Sequence, residues 1–549
     1  MLDLPELLKK VFQRLDRHDL TQCAQVNKQW HALTIPHIWS DLTCVCSNDA
    51  RRETFRRIVL EDYLQENGHE EEPPQPSALS NYGHLVRLLP SPVDLESTLR
   101  SQASTQQCDG PTTHDLLFYL FKRLSKARIE SFRYELKDPE PDEMKSLLAY
   151  TLPRLRSLYI EWLQRGTLSE LIKFKSILNQ CATTLESLDV DINILHADDL
   201  LDMEDEAMED ESICWTSLKD LTLRHNTDAW DTGTLWSWMW KRCSQVERLH
   251  VRKIDQSTPS LVQAMSAYMH NLQEIIIGDY IFVEWDWTMD DEMKDDIVAA
   301  LISGSSRGWK SVSVRSTAVL GRETMKALAL HYSTLEELNV DGYYGLVISD
   351  VVQALRSCPH LHTLSYTDMA NGSSVVYGKA FIDLDPDTGL FKPWLCEGSL
   401  KVLEVMIAGI PRADLEMKSI VREAYPGQGR EIQSQVYDRL GRLTNLKSLK
   451  LGDHFGAFQC DCLEMSLESG LDKLSGLKAL EELNIESLAT KIGTQEVQWM
   501  VENWPNLCTI YGLDGRGGDV EAVEWLQENR PKIVVAEGMS RRLNGTVPR

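Results

Sequence analysis

The sequence predicts an α/β protein: a three-helix N-terminal module followed by a right-handed, horseshoe-like solenoid of irregular strand–helix repeats. Three observations predict it. The pattern apolar-x-x-apolar-x-apolar recurs from Ile129 to Ile510. Between its copies lie apolar quartets at i, i+3, i+4, i+7, the stripe of an amphipathic helix. With 549 residues, the chain is also too long for one compact core.

At the N-terminus, Asp3 can cap a helix, with Pro5 in its first turn and Glu6 three positions on. Leu7, Leu8, Val11, Phe12 and Leu15 give that helix a wide apolar face. His18-Asp19 restarts the chain, and Leu20, Cys23, Ala24 and Asn27 follow at helical spacing. Trp30 and Leu33 extend a third helix until Pro36 ends it. Helices this short bury too little surface to stand alone, so the module needs the solenoid or a partner. The expected division is residues 1–45 for this module, 46–115 for a linker and irregular first repeats, 116–536 for the solenoid and 537–549 for a tail. Glu66 to Pro76 (ENGHEEEPPQP) reads as flexible linker.

The repeat is clearest in Leu155-Leu158-Ile160, Leu185-Leu188-Val190, Leu218-Leu221-Leu223 and Val246-Leu249-Val251. It continues through Leu272, Trp309, Leu335, Leu361, Leu400, Leu446, Leu480 and Leu507, with a weaker first copy at Ile129-Phe132-Tyr134. A step of 26 residues separates Ile129 from Leu155, Val246 from Leu272, Trp309 from Leu335 and Leu335 from Leu361. Longer steps place insertions at 198–211, 284–296, 370–397, 407–435 and 453–470. The helical quartets are Phe174-Ile177-Leu178-Cys181, Trp236-Met239-Trp240-Cys243, Met325-Leu328-Ala329-Tyr332, Val351-Ala354-Leu355-Cys358 and Val497-Met500-Val501-Trp504. Each ends just before the next strand. A strand and a helix each hide their apolar faces only against the next copy, so stacking is obligatory. A last helix from Asp519 to Asn529, with Val520, Val523 and Leu526 inward, and a strand at Ile533-Val534-Val535 should close the array.

These repeats resemble the ribonuclease-inhibitor-like, cysteine-containing branch of leucine-rich repeats, whose unit length they share. That branch often places Asn or Cys eight residues after the first Leu. Only Asn193 and Asn226 comply, which predicts irregular curvature.

Strand side chains alternate, so residues two, four and six after each first Leu should line the concave face. That puts Arg224 beside Arg248, His250 and Arg252, with Arg315 two strands further on. Such a basic patch suits a carboxylate-rich or phosphorylated protein segment. Arginines paired with neighbouring Asp191 or Glu274 are the structural alternative. The acidic insertion at 284–296 carries Trp285 and Trp287, a residue type enriched at binding hot spots.

At the N-terminus the resemblance is more specific. Leu4-Pro5-x-Leu7-Leu8, Val11-Phe12, Leu15, Asp19-Leu20, Cys23, Val26, Trp30 and Trp39 resemble an F-box, in the form common in F-box-like proteins with leucine-rich repeats. The resemblance implies docking on the Skp adaptor subunit of a cullin–RING ubiquitin ligase through Leu4, Pro5, Leu7, Leu8, Val11, Phe12, Leu15 and Leu20. The repeats would hold a protein substrate for ubiquitination. A scaffold or inhibitor acting outside any ligase, with the helices merely capping the arc, is the alternative reading. A small-GTPase regulator is a third.

Catalytic signals are weak. Gly304-Ser305-Ser306-Arg307-Gly308 fits G-x-S-x-G, but a helix is expected before it and a strand after it, the reverse of a nucleophile elbow. Cys44/Cys46 and Cys460/Cys462 lack zinc-site spacing. Neither an enzyme nor a cofactor or metal is expected. The net charge of −26 argues against nucleic acid or an anionic membrane as partner. No secretory signal and no run of ~20 apolar residues stands out. The scattered cysteines read as reduced thiols, so cytoplasm or nucleus is expected.

Overall fold

The computed structural model describes residues 49–67, 131–135, 152–162, 168–192, 214–224, 238–252, 259–278, 294–315, 320–340, 348–366, 375–410, 428–451, 462–486, 492–513 and 519–536. It also describes scattered positions at 34–42 (in part), 86, 88–89, 98–99, 116, 119–120, 124, 129–130 and 488. The chain divides into two compact units, before and after the Val246–Glu247 bond.

In the first unit, helix α1 (Asp49–Asn67) precedes strands β1 (Leu88–Leu89), β2 (Ser131–Glu135) and β3 (Ser157–Trp162). Helix α2 (Leu168–Cys181) then leads into β4 (Ser187–Ile192), which is followed by β5 (Asp220–Leu223). Each strand from β1 to β5 pairs in parallel with the next. Helix α1 falls in the stretch expected to hold linker and irregular repeats. Its Phe55 and Val59, one turn apart, are buried, and Tyr63 meets Tyr119 edge-on at 5.4 Å.

The second unit alternates strand and helix more regularly. Its strands are β6 (Arg248–Val251), β7 (Glu274–Ile277), β8 (Ser311–Val314), β9 (Glu337–Val340), β10 (Thr363–Tyr366), β11 (Val375–Tyr377) and β12 (Val402–Ala408). They continue with β13 (Ser448–Lys450), β14 (Glu482–Asn484), β15 (Thr509–Tyr511) and β16 (Val534–Ala536). Between them run α3 (Pro259–Tyr268), α4 (Asp295–Ser303), α5 (Arg322–Ala329), α6 (Ile348–Ser357), α7 (Gly378–Ile382), α8 (Gly429–Leu440), α9 (Thr494–Asn503) and α10 (Val520–Asn529). All strand pairs are parallel, as expected when a helix returns the chain to the same sheet edge.

Register explains the repeat motif. The middle apolar residues align as Leu249, Ile275, Val312, Leu338, Leu364, Leu403, Leu449, Leu483 and Ile510. Every one is buried, so the motif is a continuous apolar ladder on one face of the sheet. Each such side chain contributes roughly 1.5–3 kcal/mol. Helices cover that face: Phe174, Ile177, Leu178 and Cys181 are all buried, as are Val351, Ala354, Leu355 and Cys358.

Two sequence expectations need correction. In α5, Ala329 is exposed, and Thr324 and Ala327 take inward places beside Met325 and Leu328. In α10, Val520 is 37% exposed and the inward residues are Ala522 and Leu526. Val520 is the first residue of its helix, before a full turn exists to carry it inward. The stretch read as an insertion at 370–397 carries an extra strand off the main strand path and a short helix. Strand β12 outruns its neighbours, and its second half pairs with β11 through Met406, Ile407 and Ala408. Helix α7 and a turn in which Asp385 accepts the Asp387 and Thr388 N–H groups complete it.

A second ladder ties successive repeats together on the helix-to-strand side. The residue just before each first Leu often carries a side-chain donor aimed at a carbonyl of the preceding repeat. Ser217 donates to Thr183 (2.8 Å), Thr334 to Trp309 (2.8 Å), Ser399 to Leu361 (2.8 Å), Asn445 to Gly398 (2.7 Å) and Asn506 to Lys478 (2.9 Å). Asn193 and Asn226 lie outside the described residues. Trp309 replaces the first Leu of its repeat and is wholly buried, its indole N–H donating to the Ile302 carbonyl at 2.6 Å.

Candidate functional site

The sheet face opposite the apolar ladder carries the polar strand positions, half-buried and in rows. In the first unit this face is balanced internally. Tyr159, on β3, lies between two arginines, with Arg133 at 4.6 Å and Arg224 at 4.7 Å from its ring. Arg224 donates from Nε to Asp189 at 2.6 Å, and Tyr159 donates to Asp191 at 3.1 Å. The hydrogen bond to Asp189 raises the Arg224 pKa above its ordinary value, with burial opposing it. Arg224 therefore serves an ion pair with Asp189 on the adjacent strand.

In the second unit, Arg248 and His250 stand on β6, and Arg252 follows it with the same alternation. The partners in register on β7 are Glu274 opposite Arg248 and Ile276 opposite His250. The ladder runs past the strand ends: the Gly278 N–H donates to the Val251 carbonyl, and the Arg315 N–H to the Ile277 carbonyl, both at 2.8 Å. Arg252, Gly278 and Arg315 thus form one row, and His250 Nε2 lies 3.2 Å from the Gly278 carbonyl.

Further along the sheet the polar face is charge-balanced. Ser311 donates to Glu337 (3.3 Å), Ser365 donates to Glu404 (2.8 Å), and Lys450 lies 4.0 Å from Glu404. None of these was singled out from sequence, although counting two and four places from each first Leu would have found them. Gly278 was missed because a glycine offers no chemistry until its neighbours in register are known.

Trp285, Trp287 and the adaptor-binding candidates Leu4, Pro5, Leu7, Leu8, Val11, Phe12, Leu15 and Leu20 lie outside the described residues. The Gly304–Gly308 loop follows α4 and precedes β8, so Ser305 sits between helix and strand in the order expected. Among the described residues no helix is long and apolar enough to cross a membrane, and no three His, Cys, Asp or Glu side chains gather as a metal site. The described buried thiols behave as core groups: burial pushes Cys181, Cys358 and Cys396 up to about 12.

The N-terminal region decides the comparison with known proteins. Residues 2–45 match the F-box-like family. No curated protein matches the chain. The chain is thus an α/β protein of alternating strand–helix units following an F-box-like domain.

Proposed function

We propose that this protein is the non-catalytic substrate-recognition subunit of a Skp–cullin–F-box type ubiquitin ligase. The F-box-like match at residues 2–45 carries the reading. Family resemblance assigns that segment to the Skp adaptor, with Leu4, Pro5, Leu7, Leu8, Val11, Phe12, Leu15 and Leu20 as contact residues. The repeats behind it are read as leucine-rich repeats, and parallel strands with one sealed apolar face and one polar face support that. Such a face binds a protein segment by side-chain complementarity and needs no reaction chemistry of its own. The subunit works by raising the concentration of its target near the transferring enzyme.

Co-purification with a Skp-type adaptor and its cullin tests the reading. The unmutated chain should capture both, and Pro5→Ala with Phe12→Ala should weaken adaptor binding more than tenfold, because each buried interface anchor is worth about 2 kcal/mol. An unmutated chain that captures no adaptor overturns the function. A double variant that still binds overturns the contact assignment.

A further inference from the structure

Late in the second unit, an asparagine just ahead of the first apolar residue ties each loop to the loop before it. Asn445 donates to the Gly398 carbonyl and Asn506 to that of Lys478. The last repeat departs from this. Its turn bond from the Ile533 N–H to the Arg530 carbonyl matches the one from Leu507 to Trp504, which gives Ile533 the first apolar place. Lys532 then stands where Asn506 stood, and among the described residues its side chain makes no hydrogen bond or ion pair. Between these two untied loops lies a cleft of about 680 Å³. Val501, Trp504 and Leu507 line it as buried side chains, and Ile533 is only half-buried there. The Trp504 indole N–H is given to the Leu474 carbonyl at 2.9 Å, which leaves the ring as an apolar wall. Cys508, Arg530 and Lys532 line the same cleft and are exposed.

Charge and shape choose the occupant. Loop lysines earlier in the unit meet a carboxylate of the following repeat, Lys310 with Glu336 at 3.9 Å and Lys447 with Glu481 at 2.6 Å. Strand β16 ends the described strand path, and neither Arg530 nor Lys532 has an ion pair among the described residues. Glu502 also lines the cleft, so its three charged side chains leave one net positive charge. We infer that this cleft binds a segment of a partner protein in which a leucine-like side chain adjoins one carboxylate. The side chain enters against Leu507 and Ile533, as the next repeat of a stack would. The carboxylate takes both donors of the Arg530 fork, with Lys532 beside it. Exposed ion pairs are weak, so the apolar side chain carries affinity and the carboxylate sets preference. A run of carboxylates is disfavoured by Glu502 and by the chain's net charge of −26. The exposed Pro505 and Pro531 mark an open side through which a chain can pass, which suits a segment over a small molecule. The cleft lies on the loop edge, away from the polar sheet face, so this inference goes beyond the substrate-receptor reading and does not depend on it.

The test offers the full chain a peptide library with random flanks around a fixed Leu-Glu pair, and matched libraries with Ala-Glu or Leu-Gln instead. The Leu-Glu library should be retained about tenfold over Ala-Glu and about threefold over Leu-Gln. Arg530→Ala with Lys532→Ala should erase the preference for Leu-Glu over Leu-Gln, while both stay above Ala-Glu. Cys508→Phe, which fills the cleft wall, should lower retention about tenfold, and Cys508→Ser should leave it within about twofold. Iodoacetamide locates the site without any variant, and so decides the matter if Cys508→Phe fails to fold. Retained peptides should slow alkylation of Cys508 and leave that of the exposed Cys214 unchanged. Equal retention of the Ala-Glu library, or alkylation of Cys508 at its unliganded rate, overturns the site. A preference for Leu-Glu that survives loss of both cations overturns the carboxylate assignment. Self-association of the chain that the library displaces gives the cleft to a second copy, and retention that begins only after deletion of residues 537–549 gives it to the chain itself. N-acetylleucine binding as tightly as the best peptides gives it to a small carboxylate. Each of these three results overturns the partner segment.

Discussion

Arg439→Ala should loosen one folded segment of the second unit by about 3 kcal/mol. The Arg439 side chain is 0% exposed, near the end of α8. Its Nη1 donates to Glu397 at 2.9 Å and its Nη2 to the Lys392 carbonyl at 2.5 Å. The guanidinium lies 3.9 Å from the Trp394 ring centre and 5.4 Å from that of Phe391. Burial outweighs the Glu397 carboxylate and pushes the Arg439 pKa down to about 10, so the group remains charged at neutral pH. Breaking a buried ion pair on one side costs roughly 3–5 kcal/mol, mostly for the charge left behind. Here Glu397 keeps Arg442 at 3.8 Å, which places the loss at the lower end. Repeat arrays couple mainly to their neighbours, so the loss should stay local. Hydrogen exchange followed by mass spectrometry should show amides in 375–398 exchanging roughly a hundredfold faster, with β6 and β7 unchanged. Arg439→Met, which retains packing volume, should lose less. Exchange within threefold of the unmutated rate in 375–398 would refute the reasoning.

Three further outcomes follow from other contacts. Asp295, at the start of α4, accepts the Gly321, Glu323 and Thr324 N–H groups at 2.8–3.0 Å and the Thr324 hydroxyl at 2.6 Å, capping α5 from the preceding repeat. Burial pushes its pKa up, but these hydrogen bonds prevail and hold it below the ordinary carboxylate value. Asp295→Ala should cost about 1–2 kcal/mol at pH 7, read as faster exchange in α5, and the difference should vanish as pH falls through the lowered pKa, below about 4. His331 is buried with Nε2 2.9 Å from the Ile302 carbonyl, and burial lowers its pKa. The unfolded chain then binds the proton first, so urea stability should decline as pH drops below about 6.5, and His331→Gln should flatten that slope. Gly512 has φ +94°, and a Cβ there would come within 2.6 Å of the Glu486 nitrogen. Gly512→Ala should cost more than about 2 kcal/mol through strain and overlap, seen as accelerated exchange across β14 and β15.

The repeat was legible in the sequence because its cause is local and periodic. A strand buries every second residue and a helix every third or fourth, and both periods are set by backbone geometry before any tertiary contact forms. Leu249, Ile275 and Val312 could therefore be placed on one face from their spacing alone. The F-box-like segment was legible for a different reason: it is a contiguous pattern recognised by likeness. Side-chain partnership was not legible in this way. Arg224 and Arg252 occupy equivalent places in their repeats, yet Arg224 is committed to Asp189 while Arg252 neighbours a glycine across the strand.

By itself the sequence determined the strand–helix alternation of the repeats and their apolar face. Only the tertiary structure decided which residues of neighbouring repeats meet. It folded 375–382 into a strand and helix, with the strand pairing along the second half of β12. It set Gly278 between two arginines and Glu274 beside a third, through a register fixed by backbone hydrogen bonds between segments far apart in the chain. Periodicity acts within one repeat, whereas charge balance depends on residues some thirty positions away, and that is where the two sources part.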